Sequence, residues 1–134
     1  MLFAIKMIDK KKVTEYKTEN MMIREIQIHL KLNHPNIVKL YGFFHDEENV
    51  YLVQEYAGNQ NLHQANKEKA KNCEKIKEKK VKNYIRQICS AVEYLQSSDI
   101  LHRDLKLENV IVNKVPLLLN KHRTLPSCAI SDVR

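Results

Sequence analysis

The chain has 134 residues, 43% of them apolar and 29% charged, with a formal net charge of +7 at neutral pH. That is the size and mix of one folded domain, or of a piece of a larger one, and it excludes a disordered tail, which would be poorer in apolar residues. Two glycines and three prolines are too few for the many tight turns of an all-β sandwich and favour long helices.

Cys73, Cys89 and Cys128 are odd in number and stand in no CxxC or Cys/His ligand spacing, so neither a disulfide framework nor a zinc site is expected. No stretch reaches membrane-spanning length, and the first residues are too interrupted for a signal peptide. The expected compartment is the cytoplasm or nucleus, with no membrane partner. The net charge admits a nucleic-acid reading. Much of the excess, however, lies in KEKAKNCEKIKEKKVK, Lys67 to Lys82, where glutamates are mixed in and no aromatic offers a stacking platform. A solvated helical or loop segment is the expectation there.

In chain order, FAIKMI, Phe3 to Ile8, reads as a strand with Ala4 and Lys6 on one face and Phe3, Ile5 and Met7 on the other. A lysine inside so apolar a strand needs either an anionic partner or a sheet edge from which its head reaches water. MMIREIQIHLKL fits both a strand period and a helical face, and its strong helix formers favour helix. NHPN ends that element, because Pro35 disfavours helix at the residue before it.

IVKLYGFFH and NVYLVQEYA, separated by the polar DEEN, read as an antiparallel hairpin. Val81, Tyr84, Ile85, Ile88, Val92 and Leu95 recur at helical intervals and predict an amphipathic helix ended by Ser97, Ser98 and Asp99. LHRDLKLENVIV, Leu101 to Val112, follows.

That last stretch offers a carboxylate (Asp104), an ammonium (Lys106) and an amide (Asn109) in one loop ahead of an apolar strand. Phosphoryl transfer needs such a set: a group to orient the attacking hydroxyl, a cation near the phosphate, and oxygen ligands for magnesium. The spacing His-Arg-Asp, four residues, then Asn is long enough to be specific.

On these motifs the chain resembles the eukaryotic protein kinases of serine/threonine type. AIK, a helix bearing Glu, HPNI, a hairpin, a long helix and HRD stand in the order of that family from Phe3 to about Val112. MIDKK, YGFFHDEENVYLVQEYA and LHRDLKLEN look nearest to the Aurora and Polo-like kinases. The resemblance implies an α+β, two-lobed kinase fold present in part. Residues 1–57 would supply part of the smaller lobe and the hinge, and residues 58–134 the start of the helical lobe with the catalytic loop. It also implies ATP and Mg2+ as cofactors and a protein substrate with a Ser or Thr hydroxyl.

By that resemblance REIQIHL is the regulatory helix. Lys6 would pair the α and β phosphates, with Glu25, ten residues before the Pro of HPNI, as its ion-pair partner. Ala4 would border the adenine, Glu55 to Ala57 would form the hinge, and Gln54 would be the gatekeeper. Asp104 would orient the substrate hydroxyl and accept its proton, Lys106 marks the serine/threonine class, and Asn109 would ligate magnesium. His102 would be a packed loop residue, and Arg103 the residue that clamps a phosphorylated activation loop.

The sequence also departs from the family pattern. Five residues precede Lys6, so no Gly-rich lid over the phosphates is expected. The second magnesium ligand is expected about thirteen residues after Asn109, where His122 stands. The candidate is Asp132 in AISDVR, twenty-three residues after Asn109, which an insertion around PLLLNKHRTLPSC would bring into frame. The long helix lacks the helices that would cover it, so an exposed apolar patch is expected. The functional readings are a protein kinase impaired in this chain, a kinase-like module that binds partners without catalysis, and a basic nucleic-acid binder that has only net charge behind it.

Overall fold

Phe3–Asp9 form the first strand, β1, in a computed structural model that describes residues 2–58, 60–112 and 128–131. Leu40–His45 form β2 and Asn49–Glu55 form β3, and the three pair antiparallel in the order β1-β3-β2. The register sets Ala4 against Gln54, Lys6 against Leu52 and Ile8 against Val50. Ala4 and Lys6 therefore share a face, as period-two alternation requires.

Asp46 closes the expected hairpin. Its carboxylate accepts the backbone N–H groups of Glu48 (2.8 Å) and Asn49 (2.7 Å) and the Tyr51 hydroxyl (2.8 Å), the side-chain mimicry of a turn at which Asp excels. The bulge between Leu40 and Gly42 bends β2.

Between β1 and β2 lie two helices. The first, α1 (Lys10–Glu15), was not foreseeable from periodicity, since it buries only Val13. Asp9 starts it by accepting the Lys11 N–H at 2.8 Å. The second, α2 (Glu19–Lys31), resolves the strand-or-helix ambiguity in favour of helix. Its Ile26 packs with Leu40, Val50 and Leu52 in the core under the first sheet. The chain leaves α2 through an extended Leu32, ahead of Pro35.

Gln60–Asn61 form β4 and Leu62–Lys71 form α3, which opens with a reciprocal capping box between Asn61 and Gln64. Next comes α4 (Glu78–Ser97). The lysine-rich segment thus spans the end of one helix and the start of another. The buried face of α4 is narrower than the predicted stripe. Tyr84, Ala91 and Leu95 are buried, while Val81, Ile85 and Val92 remain 36%, 54% and 37% exposed. The expected apolar patch is therefore present along one side of the helix only.

A second antiparallel sheet joins β4, β5 (Val110–Val112) and β6 (Cys128–Ile130) in that order. Val110, Val112 and Ile130 pack with Tyr84, Ala91 and Leu95 of α4 and with Leu32 and Ile37 from the stretch after α2. Burying a side chain of this size contributes about 1.5–3 kcal/mol. The architecture is α+β, as expected. Among the described residues no helix is long and apolar enough to cross a membrane.

Candidate active site

The loop from Ile100 to Lys106 is fixed from both ends. Arg103 takes a left-handed φ of 63°, a conformation that needs support from its surroundings. His102 supplies that support. It is 7% exposed, its Nε2 lies 2.9 Å from the Ser131 carbonyl oxygen, and its Nδ1 accepts the Asp104 N–H at 3.3 Å. The two contacts together put the ring proton on Nε2.

Asn109 holds Asp104 from the other side. A 3-10 turn over Leu107–Asn109 brings the amide back, so that Nδ2 donates to the Asp104 backbone oxygen at 2.9 Å and to Oδ2 at 3.2 Å. Lys106 Nζ lies 3.0 Å from the same Oδ2. Asp104, Lys106 and Asn109 are thus brought together, with Asn109 8% exposed and the Asp104 side chain 28% exposed. A carboxylate so oriented and still open to solvent can receive a hydroxyl proton. Because Nδ2 is occupied, the Asn109 Oδ1 is the atom left for a hard cation, which prefers such oxygens.

Ser131 belongs to this network and sequence reasoning missed it. Its N–H donates to the Asn109 carbonyl oxygen at 2.9 Å and its hydroxyl to the same oxygen at 3.3 Å. The only local signal is the short apolar run before it, CAI, which pairs with Val110–Val112 as β6. Asp132, the candidate second magnesium ligand, lies outside the described residues. Among the described residues no group of three or more His, Cys, Asp or Glu could hold a metal ion.

The strand residues are positioned separately. Lys6 is exposed on β1, at the edge of the first sheet, and Glu25 is half-buried on α2. The two residues thus stand on separate elements, β1 and α2. Edge position and exposure also mean that burial does not by itself oblige Lys6 to find a carboxylate.

Gln54 is buried beside Ala4. Glu55 ends β3, and its N–H donates to the Lys39 carbonyl at 2.8 Å. Burial, and then the Glu55 carboxylate, push the Tyr41 hydroxyl pKa above its ordinary value. Tyr56, Ala57 and Gly58 lie outside any strand or helix, so their backbone groups belong to no ladder. Gly58 has φ 136°, which favours glycine.

Comparison with known proteins shows the family. The family model described as "Protein kinase domain" matches residues 1–120. The chain is 38% identical over 111 residues to an Aurora kinase of Encephalitozoon cuniculi, covering 83% of this chain and 40% of that protein. It is 36% identical over 111 residues to an Aurora kinase of Schizosaccharomyces pombe, covering 83% and 30%. To the serine/threonine-protein kinase polo of Drosophila melanogaster it is 38% identical over 112 residues, covering 84% and 19%. The chain spans less than half the length of each of these relatives. With the family match covering most of its residues and the Asp104–Lys106–Asn109 loop assembled in space, the chain belongs to the protein kinase domain family.

Proposed function

We propose that this chain is part of a protein serine/threonine kinase that transfers the γ-phosphate of ATP to a protein hydroxyl in the cytoplasm or nucleus. The observation that carries the reading is the single carboxylate oxygen, Asp104 Oδ2, met by both the Lys106 ammonium at 3.0 Å and the Asn109 amide at 3.2 Å. Asp104 orients the incoming Ser or Thr hydroxyl and takes its proton. Lys106 keeps a positive charge where the transferring phosphate gathers negative charge. Asn109 offers Oδ1 to magnesium. Magnesium ATP, when bound, supplies the phosphoryl group and the charge neutralisation.

The nucleotide would lie between the two sheets, with Ala4 and the Glu55 to Ala57 backbone against the base and Lys6 on the α and β phosphates. Glu25 would be the ion-pair partner of Lys6. Asp132 would be the second magnesium ligand, supported by the anchoring of its neighbour Ser131 on Asn109. Residues 1–57 would form part of the smaller lobe and the hinge, and residues 58–134 the start of the helical lobe.

The test is radiolabelled phosphoryl transfer to a Ser/Thr peptide mixture, alongside thermal unfolding with ATP and magnesium. Transfer is expected to fall about 10²–10⁴-fold in Asp104→Asn, the range for a positioned base. Transfer unaffected by that substitution would overturn the reading. A second reading, a kinase-like module that binds partners without catalysis, is favoured by the exposed apolar side of α4, where Ile85 is 54% exposed. It predicts thermal stabilisation by nucleotide that is small or absent, and no transfer.

A further inference from the structure

Where α3 hands over to α4, the surface forms an open concavity of about 1110 Å³, and seven of the ten described residues lining it are Lys or Arg. Its two carboxylates are already engaged. Glu74 is paired with Lys69 at 2.6 Å and Glu78 with Lys82 at 2.7 Å. The hydrogen bond and then the charge of Lys69 hold the Glu74 carboxyl below its ordinary pKa, so at neutral pH that pair is ionised and carries no net charge. What remains among the described lining residues is Lys75, Lys77, Lys79, Lys80 and Arg86, with no further acid among them.

Five like charges lining one concavity raise the local potential, and a guest of opposite sign relieves their repulsion. Lys77 is also the N-cap of α4 and supplies no side-chain hydrogen bond there, so the amides of the first helical turn add to the same field. The lysine stems give the cavity apolar walls on which a chain can lie.

We propose that this cavity docks an acidic, carboxylate-rich segment of a partner protein. Its volume, just above the usual range of small-molecule cavities, suits a few residues of extended peptide. Nucleic acid fits less well. The one aromatic ring beside the site, Tyr84, is 4% exposed and lies under Lys80 Nζ, 5.6 Å from the ring centroid, so no ring is presented for base stacking. The site stands apart from the catalytic reading, since Lys6, Asp104 and Asn109 are not among its lining residues.

Fluorescence anisotropy on the full chain tests the proposal. The probes are a labelled Asp/Glu-rich peptide, its Asn/Gln analogue of equal length, and a single-stranded oligonucleotide of equal charge. The acidic peptide should bind and its analogue should not, with binding weakened by salt. Lys75→Glu combined with Lys79→Glu should lower affinity about tenfold or more. Lys11→Glu combined with Lys12→Glu, an equal change of charge on α1, should leave it within about twofold. All four positions are exposed, and circular dichroism checks that each variant keeps its helices. If the first pair loses helix, Lys75→Gln with Arg86→Gln makes the same test. Equal losses from the cavity and α1 variants, tighter binding of the oligonucleotide, or no binding of the acidic peptide would each overturn the assignment.

Discussion

His102 shows how much one side chain can fix in the loop from Ile100 to Lys106. Its two ring nitrogens join the Ser131 carbonyl oxygen at 2.9 Å to the Asp104 N–H at 3.3 Å, so it ties the exit of β6 to the residue proposed as base. Truncation would leave the part-buried Ser131 carbonyl without its donor. His102→Ala should therefore destabilise the chain by about 1–3 kcal/mol in urea unfolding. A midpoint equal to that of the unaltered chain would mean that water replaces the ring at no cost. Much of this loop could be read directly from sequence, because Asp104, Lys106 and Asn109 lie within six consecutive residues and their spacing carries the chemistry. Ser131 could not, since its contact with Asn109 crosses 22 residues and follows no local period. Lys6 and Glu25 are intermediate cases. The motif names them as a pair, but whether two side chains meet depends on how α2 sits against β1, which local pattern does not encode.

The hairpin of β2 and β3 owes its turn to Asp46, whose carboxyl is held below the ordinary carboxylate range. The Asn49 N–H is the largest cause, followed by the Tyr51 hydroxyl and the Glu48 N–H. Because the folded-state pKa is depressed, the stabilisation is fully present above the unfolded value and is lost as pH falls through the folded one. The urea midpoint should accordingly drop on acidification below about pH 4, and Asp46→Asn should flatten that part of the curve. The same substitution should lower the pKa of Tyr51, which the Asp46 hydrogen bond now raises, and ultraviolet titration reads this directly. An unchanged tyrosine titration would remove Asp46 from the turn. This hairpin and α4 were legible because β-branched runs and a 3.6-residue period each leave a strong local mark. By contrast, α1, α3 and β4 are polar or only two residues long. Caps rather than apolar faces start the two helices, so periodicity could not find them.

One short stretch of chain contributes to both hydrophobic cores. Ile26 belongs to the core under the first sheet, and Leu32 and Ile37, just beyond the same helix, belong to the core around α4. Ile130 clamps that stretch. It pairs in parallel with Ile37, its N–H donates to the Asn36 carbonyl at 2.9 Å, and its carbonyl accepts the Val38 N–H at 2.9 Å. Ile130 is also 0% exposed, so Ile130→Ala removes both packing and the side chain that seats the clamp, at about 2–5 kcal/mol. If the clamp couples the cores, native-state hydrogen exchange should speed up by similar factors at the amides of Leu52, in the first sheet, and Leu95, in α4. If the cores open independently, only Leu95 should respond, because Leu52 touches none of the packing that the substitution deletes. The first outcome is expected. The backbone bonds of Asn36 and Val38 run directly from β6 into the segment that enters β2, so the second sheet cannot loosen without freeing the end of the first.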